Sequence, residues 1–367
     1  MILADLQLTR VLRAAGAGRG PLPLPPPSGR YALPDAAASS TRRAALRAGH
    51  PGQVADRLVT VLESLRPWER EHVLDPLRRR SVAPDQRRDL AGGPDLTVGR
   101  PVGQGQGSAP GRPDLRFPEP LVLGRARAVQ VDETTCGSAV LAVLAAAGDP
   151  VVSLWLVAGT DVSRGARELV VSEGQVDATA RELETSSGRF QALQRLLKAR
   201  TTRAALGPFP WPGRLGTPPW TAARDARYAD VRFMHRIVAG GGPGDPVLAS
   251  ALRSVAAGVP VPLYTGGDVG TGWSTAVPRH VVLLAGVSGP QAEAGGDDGT
   301  PAHGGRWCSV YEPSSGALHR VRVADLLAGT RVAGEPSKAV RRALGGWPYV
   351  TWAVLPAGRA GGSRRVG

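Results

Sequence analysis

One stretch of the chain decides the fold prediction: Gln130-Val131-Asp132-Glu133-Thr134-Thr135-Cys136-Gly137-Ser138-Ala139. It places a cysteine at the entrance of an apolar run, residues 138–147, which favours a helix and is closed by a Gly-Asp-Pro stop. The first N–H groups of a helix are unpaired and carry partial positive charge, which favours the thiolate form of a cysteine there. Because the thiolate is the nucleophilic form, this position indicates chemistry more than packing.

Two later side chains supply the other groups that thiol chemistry requires. His280 begins one apolar, β-rich run, and Glu312 ends another, in the sequence Tyr-Glu-Pro-Ser-Ser-Gly. A thiol hydrolase needs a base within hydrogen-bond reach of the sulfur and an acceptor that orients that base. We therefore predict that Cys136 is the nucleophile, His280 the base and Glu312 the orienting acid. The Gln130 side-chain amide, together with the Cys136 backbone N–H, is the candidate donor set for a tetrahedral oxyanion.

The order of these motifs resembles that of papain-like cysteine peptidases: Gln-x5-Cys-Gly-x-Ala, then His-Val-Val at a strand start, then Tyr-acid-Pro-x-x-Gly. The likeness is greatest to the bacterial bacteriocin-processing (double-glycine leader) peptidases and their stand-alone relatives. It covers about residues 125–355 and is carried by three short blocks. The resemblance implies that Cys136 attacks, His280 is the base, Glu312 orients it and Gln130 lines the oxyanion hole. It also implies an enzyme without a cofactor.

Composition and periodicity divide the chain into three parts. Residues 1–115, rich in Pro, Gly and Arg, are predicted to be largely disordered with one amphipathic helix near 53–66. Residues 116–358 form the thiol peptidase domain that the resemblance implies, and residues 359–367 a flexible tail. Within the domain, helical patterns precede β-rich runs, which predicts an α+β class. The papain-like version of that class has a helical N-terminal half, with the nucleophile helix packed on a mainly antiparallel sheet.

Other chemically notable residues receive structural interpretations. Cys308, four residues before Glu312, is predicted to be a plain strand or core residue, and His235 a helix-face residue. His and Cys do not cluster at ligand spacing, so no metal site is predicted. The Pro/Trp-rich segment 207–220 is predicted to be an exposed aromatic loop that either shapes a substrate cleft or covers the core.

The net charge of +14 invites a nucleic-acid interpretation, which the distribution of the charge disfavours. Of the 45 basic residues only Lys198 and Lys338 are lysines, and no basic stripe interleaved with aromatic residues is present. We expect no specific nucleic-acid partner. No apolar run approaches the roughly 20 residues of a membrane span, and the N-terminus lacks the features of a signal peptide. A cytoplasmic location is therefore expected, and the oligomeric state is not determined by the sequence.

The leading functional hypothesis is a cysteine peptidase that hydrolyses peptide bonds of a peptide or protein substrate through a thioester acyl-enzyme. An acyl transferase or an amidase would use the same Cys–His pair and the same thioester, so the sequence does not separate these reactions. A third alternative is a catalytically weak or inactive papain-like module that binds peptides. The Glu312-Pro313 pair favours this alternative, because relatives usually carry Asp-Pro there.

Overall fold

The computed structural model describes residues 20–27, 29–31, 34, 37–78, 118–163, 179–238, 244–267, 278–288, 305–328 and 337–359. The helices in these ranges are α1 (Ala38–Arg47), α2 (Gly52–Ser64), α3 (Pro67–Leu74), α4 (Cys136–Gly148), α5 (Pro150–Ala158), α6 (Ala180–Leu183), α7 (Ser186–Thr202), α8 (Pro219–Asp225), α9 (Pro246–Ala256), α10 (Val323–Ala328) and α11 (Lys338–Ala343). The strands are β1 (Glu119–Pro120), β2 (Val122–Leu123), β3 (Ala126–Arg127), β4 (Val231–Ile237), β5 (Val261–Gly266), β6 (His280–Ser288), β7 (Trp307–Glu312), β8 (Ala317–Arg322) and β9 (Tyr349–Arg359).

Seven of the described strands form one antiparallel sheet in the order β1-β8-β7-β6-β5-β9-β4. Strands β2 and β3 pair separately. Helices dominate the first half of the domain and strands the second half, so the α+β class predicted from the sequence is confirmed. Strand β6 is hydrogen-bonded on both sides, to β5 and to β7, and its first residue, His280, pairs with Thr265 of β5.

Both faces of the sheet are covered, and β6 shows why. Val281 and Leu283 join one apolar cluster, whereas Val282 and Leu284 join the other. The first cluster is built with α4, α5 and α7, and the second with α9, α10 and α11. A strand that is buried on both faces carries a continuous apolar run instead of an alternating one. This burial accounts for the uninterrupted Val-Val-Leu-Leu sequence after His280.

Helix α4 is the centre of the first cluster. Its residues 136–146 are all buried, as expected for a helix whose sequence is apolar all round. Asp149 ends α4 and begins α5, where its carboxylate accepts the Val151 N–H at 2.9 Å. In the described ranges no single helix is long and apolar enough to cross a membrane; α4 and α5 meet that test only as a pair, across a bend of 112°.

The N-terminal region departs from the prediction. Three helices occupy residues 38–74, where we predicted only one near 53–66, and that one corresponds to α2. Side chains from all three helices, among them Ala45, Leu58 and Val73, enter the same apolar cluster as α4. The prediction that residues 1–115 are largely disordered is therefore wrong for residues 37–78. The error has a compositional cause, because the buried face of α1 is made of Ala and Thr, which carry a weak hydrophobic signal.

Polar contacts also hold this region on the domain. Nε2 of His50 lies 2.8 Å from Oδ2 of Asp149, and the Tyr31 hydroxyl donates to Oδ1 of Asp230 at 2.8 Å. The proline-rich segment before them lies against β4, where Arg236 donates to the Pro21 carbonyl at 3.0 Å. Of the predicted tail, Arg359 is the last residue of β9, and residues 360–367 lie outside the described residues.

The assignment of His235 to a helix face is also wrong, because residues 231–237 form strand β4. His235 accepts a hydrogen bond from the Trp352 indole N–H at 3.1 Å. The partner strand β9 lies more than a hundred residues further along the chain, so the local pattern could not reveal the pairing.

A buried arginine joins α5 to α7. Arg189 is 4% exposed, and its guanidinium donates to the backbone carbonyls of Leu156, Val157, Leu183 and Glu184 and to the Ser186 hydroxyl. The first two carbonyls belong to the last turn of α5, where no intrahelical donor is available. Arg189, near the start of α7, thus donates hydrogen bonds to the carbonyls at the end of α5 and fixes the position of α7 against α5.

We predict that Arg189→Lys lowers the free energy of unfolding by about 2–4 kcal/mol, because each buried carbonyl left without a donor costs about 1–3 kcal/mol. Denaturant unfolding followed by circular dichroism measures the loss. Arg195→Lys is the matched control on the same helix, because Arg195 makes an exposed ion pair with Glu182 at 3.3 Å and should change stability by less than about 1 kcal/mol. Equal losses in the two variants would contradict this role of Arg189.

Candidate active site

The sheet topology brings His280 and Glu312 together. His280 is the first residue of β6 and Glu312 the last residue of β7, and the two strands are antiparallel neighbours. The start of one strand and the end of the other therefore lie at the same end of the sheet. Nε2 of His280 is 2.8 Å from Oε1 of Glu312, and both side chains are buried.

Helix α4 places Cys136 at the same end of the sheet as His280 and Glu312. Cys136 is its first residue, and the preceding Thr135 makes no side-chain cap to the helix. Interaction with the Cys136 thiol is one of the causes that raise the pKa of His280, so the sulfur lies beside the imidazole ring. Since Glu312 occupies Nε2 of that ring, the nitrogen left for the sulfur is Nδ1. The three residues that the sequence singles out are thus adjacent in the order thiol, imidazole, carboxylate.

The ionisation of His280 reflects both neighbours. Burial lowers the pKa of His280, but the hydrogen bonds to Cys136 and Glu312 and the negative charges of these two groups outweigh burial and raise it to about 9. The site therefore favours an imidazolium. A positive imidazolium beside a sulfur stabilises the thiolate, which is the nucleophilic form of cysteine.

Glu312 is held by its own turn. Its Oε1 accepts the Ser314 N–H at 2.7 Å, and its Oε2 accepts the Ser315 N–H at 2.8 Å. Burial raises the pKa of Glu312, but the hydrogen bonds from His280 and Ser315 and the charge of His280 lower it to about 2. The carboxylate is therefore ionised beside the imidazole and fixes its orientation. The additional methylene of Glu, compared with Asp, does not prevent this contact.

Gln130 lies beside the same turn. Its backbone N–H donates to the Pro313 carbonyl at 2.9 Å, and the Tyr311 hydroxyl donates to the Ala128 carbonyl at 2.7 Å. The Gln130 side-chain oxygen is buried and has no hydrogen-bond partner among the described residues. A carboxamide whose oxygen the protein leaves without a partner can rotate about its terminal torsion to present its N–H group to a ligand oxygen.

The Pro/Trp-rich segment adjoins the start of α4. A Cβ added to Gly137 would lie 2.7 Å from Cβ of Thr217, so a glycine must follow the cysteine for this segment to pack there. Leu215, two residues earlier, is 47% exposed. The segment also covers the core, with Trp211 and Trp220 in edge-to-face contact at 5.3 Å. Part of it is regular, contrary to the prediction, because Pro219 occupies the first turn of α8.

Neither Cys308 nor His319 belongs to the Cys136–His280–Glu312 group, although His319 lies beside the turn that holds Glu312. Cys308 is a buried strand residue, as predicted, and burial raises the pKa of its thiol to about 12. His319 is partly buried in β8 with its Nε2 3.5 Å from the Ser315 hydroxyl. His303 lies outside the described residues. Over the ranges that the structure describes, no group of three His, Cys, Asp or Glu residues is arranged to hold a metal ion.

Gly345 shapes the site and was not identified from the sequence. Its φ is +67°, and an added Cβ would lie 2.2 Å from Cδ2 and 2.5 Å from Nε2 of His280. The backbone at Gly345 is therefore in direct contact with the imidazole. From the sequence, the Gly345-Gly346 pair indicates only a turn. Its contact with the His280 ring could not be predicted, because His280 lies 65 residues earlier in the chain.

Comparisons of the chain with models of known families, with curated proteins and with solved structures find no significant match. The features of the chain that point to a function are therefore the geometry and chemistry of Cys136, His280, Glu312 and Gln130.

We predict that Gly345→Ala displaces the His280 ring and lowers the alkylation rate of Cys136 at pH 6 by about tenfold or more, because the imidazolium no longer stabilises the thiolate. Intact mass spectrometry after iodoacetamide treatment measures the rate. Gly346→Ala is the matched control, with φ +87° and no atom within 4 Å of the added Cβ. Both variants carry a similar backbone strain of roughly 1–2 kcal/mol. Equal alkylation rates in the two variants would rule out the contact as the cause.

Proposed function

We propose that this chain is a cysteine peptidase with a papain-like arrangement of its catalytic groups. The observation that carries the proposal is the adjacency of Cys136, His280 and Glu312, with the His280–Glu312 pair at 2.8 Å and Cys136 at a helix N-terminus. A nucleophile, a base and an orienting acid in this order form the constellation used for acyl transfer by thiol enzymes. The sequence resemblance to papain-like peptidases supports the same conclusion independently of the distances.

The reaction follows from the positions of these groups. The Cys136 sulfur attacks the peptide carbonyl carbon, the C=O π electrons move to oxygen, and the resulting oxyanion is stabilised by the Cys136 backbone N–H and the Gln130 amide. His280 then gives its proton to the leaving nitrogen as the C–N bond breaks, which leaves a thioester. Water then attacks the thioester carbon as it transfers a proton to His280; the C–S bond breaks, the acid product leaves, and the thiolate–imidazolium pair is restored.

The binding-module alternative requires that Glu312 fail in the orienting role. The carboxylate accepts hydrogen bonds from two backbone N–H groups and lies within hydrogen-bond distance of His280, which supports a functional triad. A polypeptide substrate is favoured by the apolar surface beside the site. Leu215 is exposed in the segment next to Gly137, and Val131 is exposed next to Gln130.

We predict that the full-length protein cleaves members of a diverse peptide library and that Cys136→Ala lowers cleavage by roughly 10³-fold or more. Mass spectrometry of the products measures cleavage. Cys308→Ala is the control, and should retain the wild-type rate because Cys308 is buried away from the triad. An added amine nucleophile distinguishes hydrolysis from acyl transfer, since a transferase would form the amide product in preference to the acid. Cleavage that persists in Cys136→Ala would refute the proposal.

A further inference from the structure

We infer that Gln194 is a positioning residue for the oxyanion site, acting through the backbone on either side of Gln130. This inference rests on the proposed function, since it assigns a role in the same site. Gln194 lies on α7, and its side chain is hydrogen-bonded to the backbone of residues 129 and 131. The side chain is fully buried, at 0% exposure.

The Gln194 carboxamide brackets Gln130. Its Nε2 donates to the Val129 carbonyl at 3.1 Å, and its Oε1 accepts the Val131 N–H at 3.1 Å. One side chain therefore satisfies one backbone group before Gln130 and one after it. A carboxamide is suited to this task, because it donates and accepts through adjacent atoms without bringing a charge into the core.

The backbone of Gln130 itself is held by a different element, the turn after Glu312. Its N–H donates to the Pro313 carbonyl, next to Glu312 in sequence. Residues 129 and 131 are thus bound by Gln194 of α7, and residue 130 by the turn after Glu312; the Val129 N–H also donates to the Arg127 carbonyl at 3.0 Å. The side chain of Gln130 projects from a peptide that cannot shift without breaking one of these bonds. Since an oxyanion donor must be placed to within about 0.5 Å, this bracket determines how well Gln130 can act.

Lys198, one helical turn after Gln194, extends the same face of α7 to the turn before the nucleophile. Its ammonium group donates to the Thr134 hydroxyl and lies 3.9 Å from Oδ1 of Asp132. Asp132 in turn accepts the Thr134 N–H at 2.7 Å. Two side chains of α7 therefore bind the segment from Val129 to Thr134, which ends one residue before the N-cap of α4.

The test uses Gln194→Met, which keeps the volume of the side chain and removes both hydrogen bonds, with Gln191→Met as the matched control. Gln191 lies on the same helix, partly exposed, and bonds only to the Ser187 hydroxyl among the described residues. We expect kcat of Gln194→Met to fall by about 10- to 100-fold with little change in KM, since loss of an oxyanion donor costs about 10²–10³-fold and misplacement costs part of that. Gln191→Met should match the wild type.

Two probes separate positioning from general disruption. Iodoacetamide alkylation of Cys136 needs the thiolate and no oxyanion donor, so its rate should stay within about twofold of wild type. A peptide aldehyde adds to the thiol: an S–C bond forms, the C=O π electrons move to oxygen, and that oxygen takes up a proton or the oxyanion hydrogen bonds. Its affinity should weaken in parallel with kcat. A parallel loss of alkylation would show structural disruption and overturn the inference, as would unchanged kcat and aldehyde affinity.

Gln194→Glu keeps the inference testable if Gln194→Met does not fold. The carboxyl oxygen still accepts the Val131 N–H, and the protonated form also donates to the Val129 carbonyl. Activity relative to wild type should therefore rise as the pH falls from 8 to 5, or match the wild type throughout where burial keeps the carboxyl protonated. Activity that stays well below wild type at every pH would overturn the inference. If the wild type neither cleaves peptides nor binds the aldehyde, the proposed function has failed. If the wild type is active and Gln194→Met is equally active, only the inference about Gln194 has failed.

Discussion

The turn formed by residues 312–316 is the constraint on which the candidate site depends. Its first residue, Glu312, carries the carboxylate that pairs with His280. The Pro313 carbonyl accepts the Gln130 N–H, and the Gly316 carbonyl accepts the Leu121 N–H. Gly316 has a φ of +58°, and an added Cβ would lie 2.9 Å from the Ala128 carbonyl. The carboxylate that pairs with His280 and the backbone of Gln130 are therefore parts of one packed unit, and a shift of either would move the other.

The charges of His280 and Glu312 are buried, and each depends on the other. Burial disfavours both the Glu312 carboxylate and the His280 imidazolium, and each is stabilised by the other and by hydrogen bonds. Because the pKa of Glu312 is lowered from 4.5 to about 2, its contribution to stability is present above about pH 4.5 and is lost as the pH falls through about 2. Removing either residue leaves an uncompensated buried charge, so the stability of the fold depends on the His280–Glu312 pair.

Much of this arrangement could be predicted from the sequence because the chemical residues mark the ends of strongly patterned elements. The apolar run after Cys136 indicates α4, and β6 and β7 begin and end at the residues where their β-rich runs do. Contacts between distant residues carried no such signal. Gln194 binds a segment 63 residues earlier, and Gly345 supports a ring 65 residues earlier. The helices α1 and α3 were missed for a related reason, since burial against α5 cannot be inferred from their own sequences.

The most direct test of the mechanism is the alkylation rate of Cys136 from pH 5 to pH 10, measured by intact mass in a Cys308→Ser background, with His280→Ala for comparison. The pKa of His280 is raised to about 9, so the imidazolium that stabilises the thiolate persists up to that pH and is lost as the pH rises through it. We therefore predict rapid alkylation well below pH 8.5, the range of an ordinary thiol, and its loss in His280→Ala. A rate that rises only near pH 8.5 and is indifferent to His280 would contradict the activated pair.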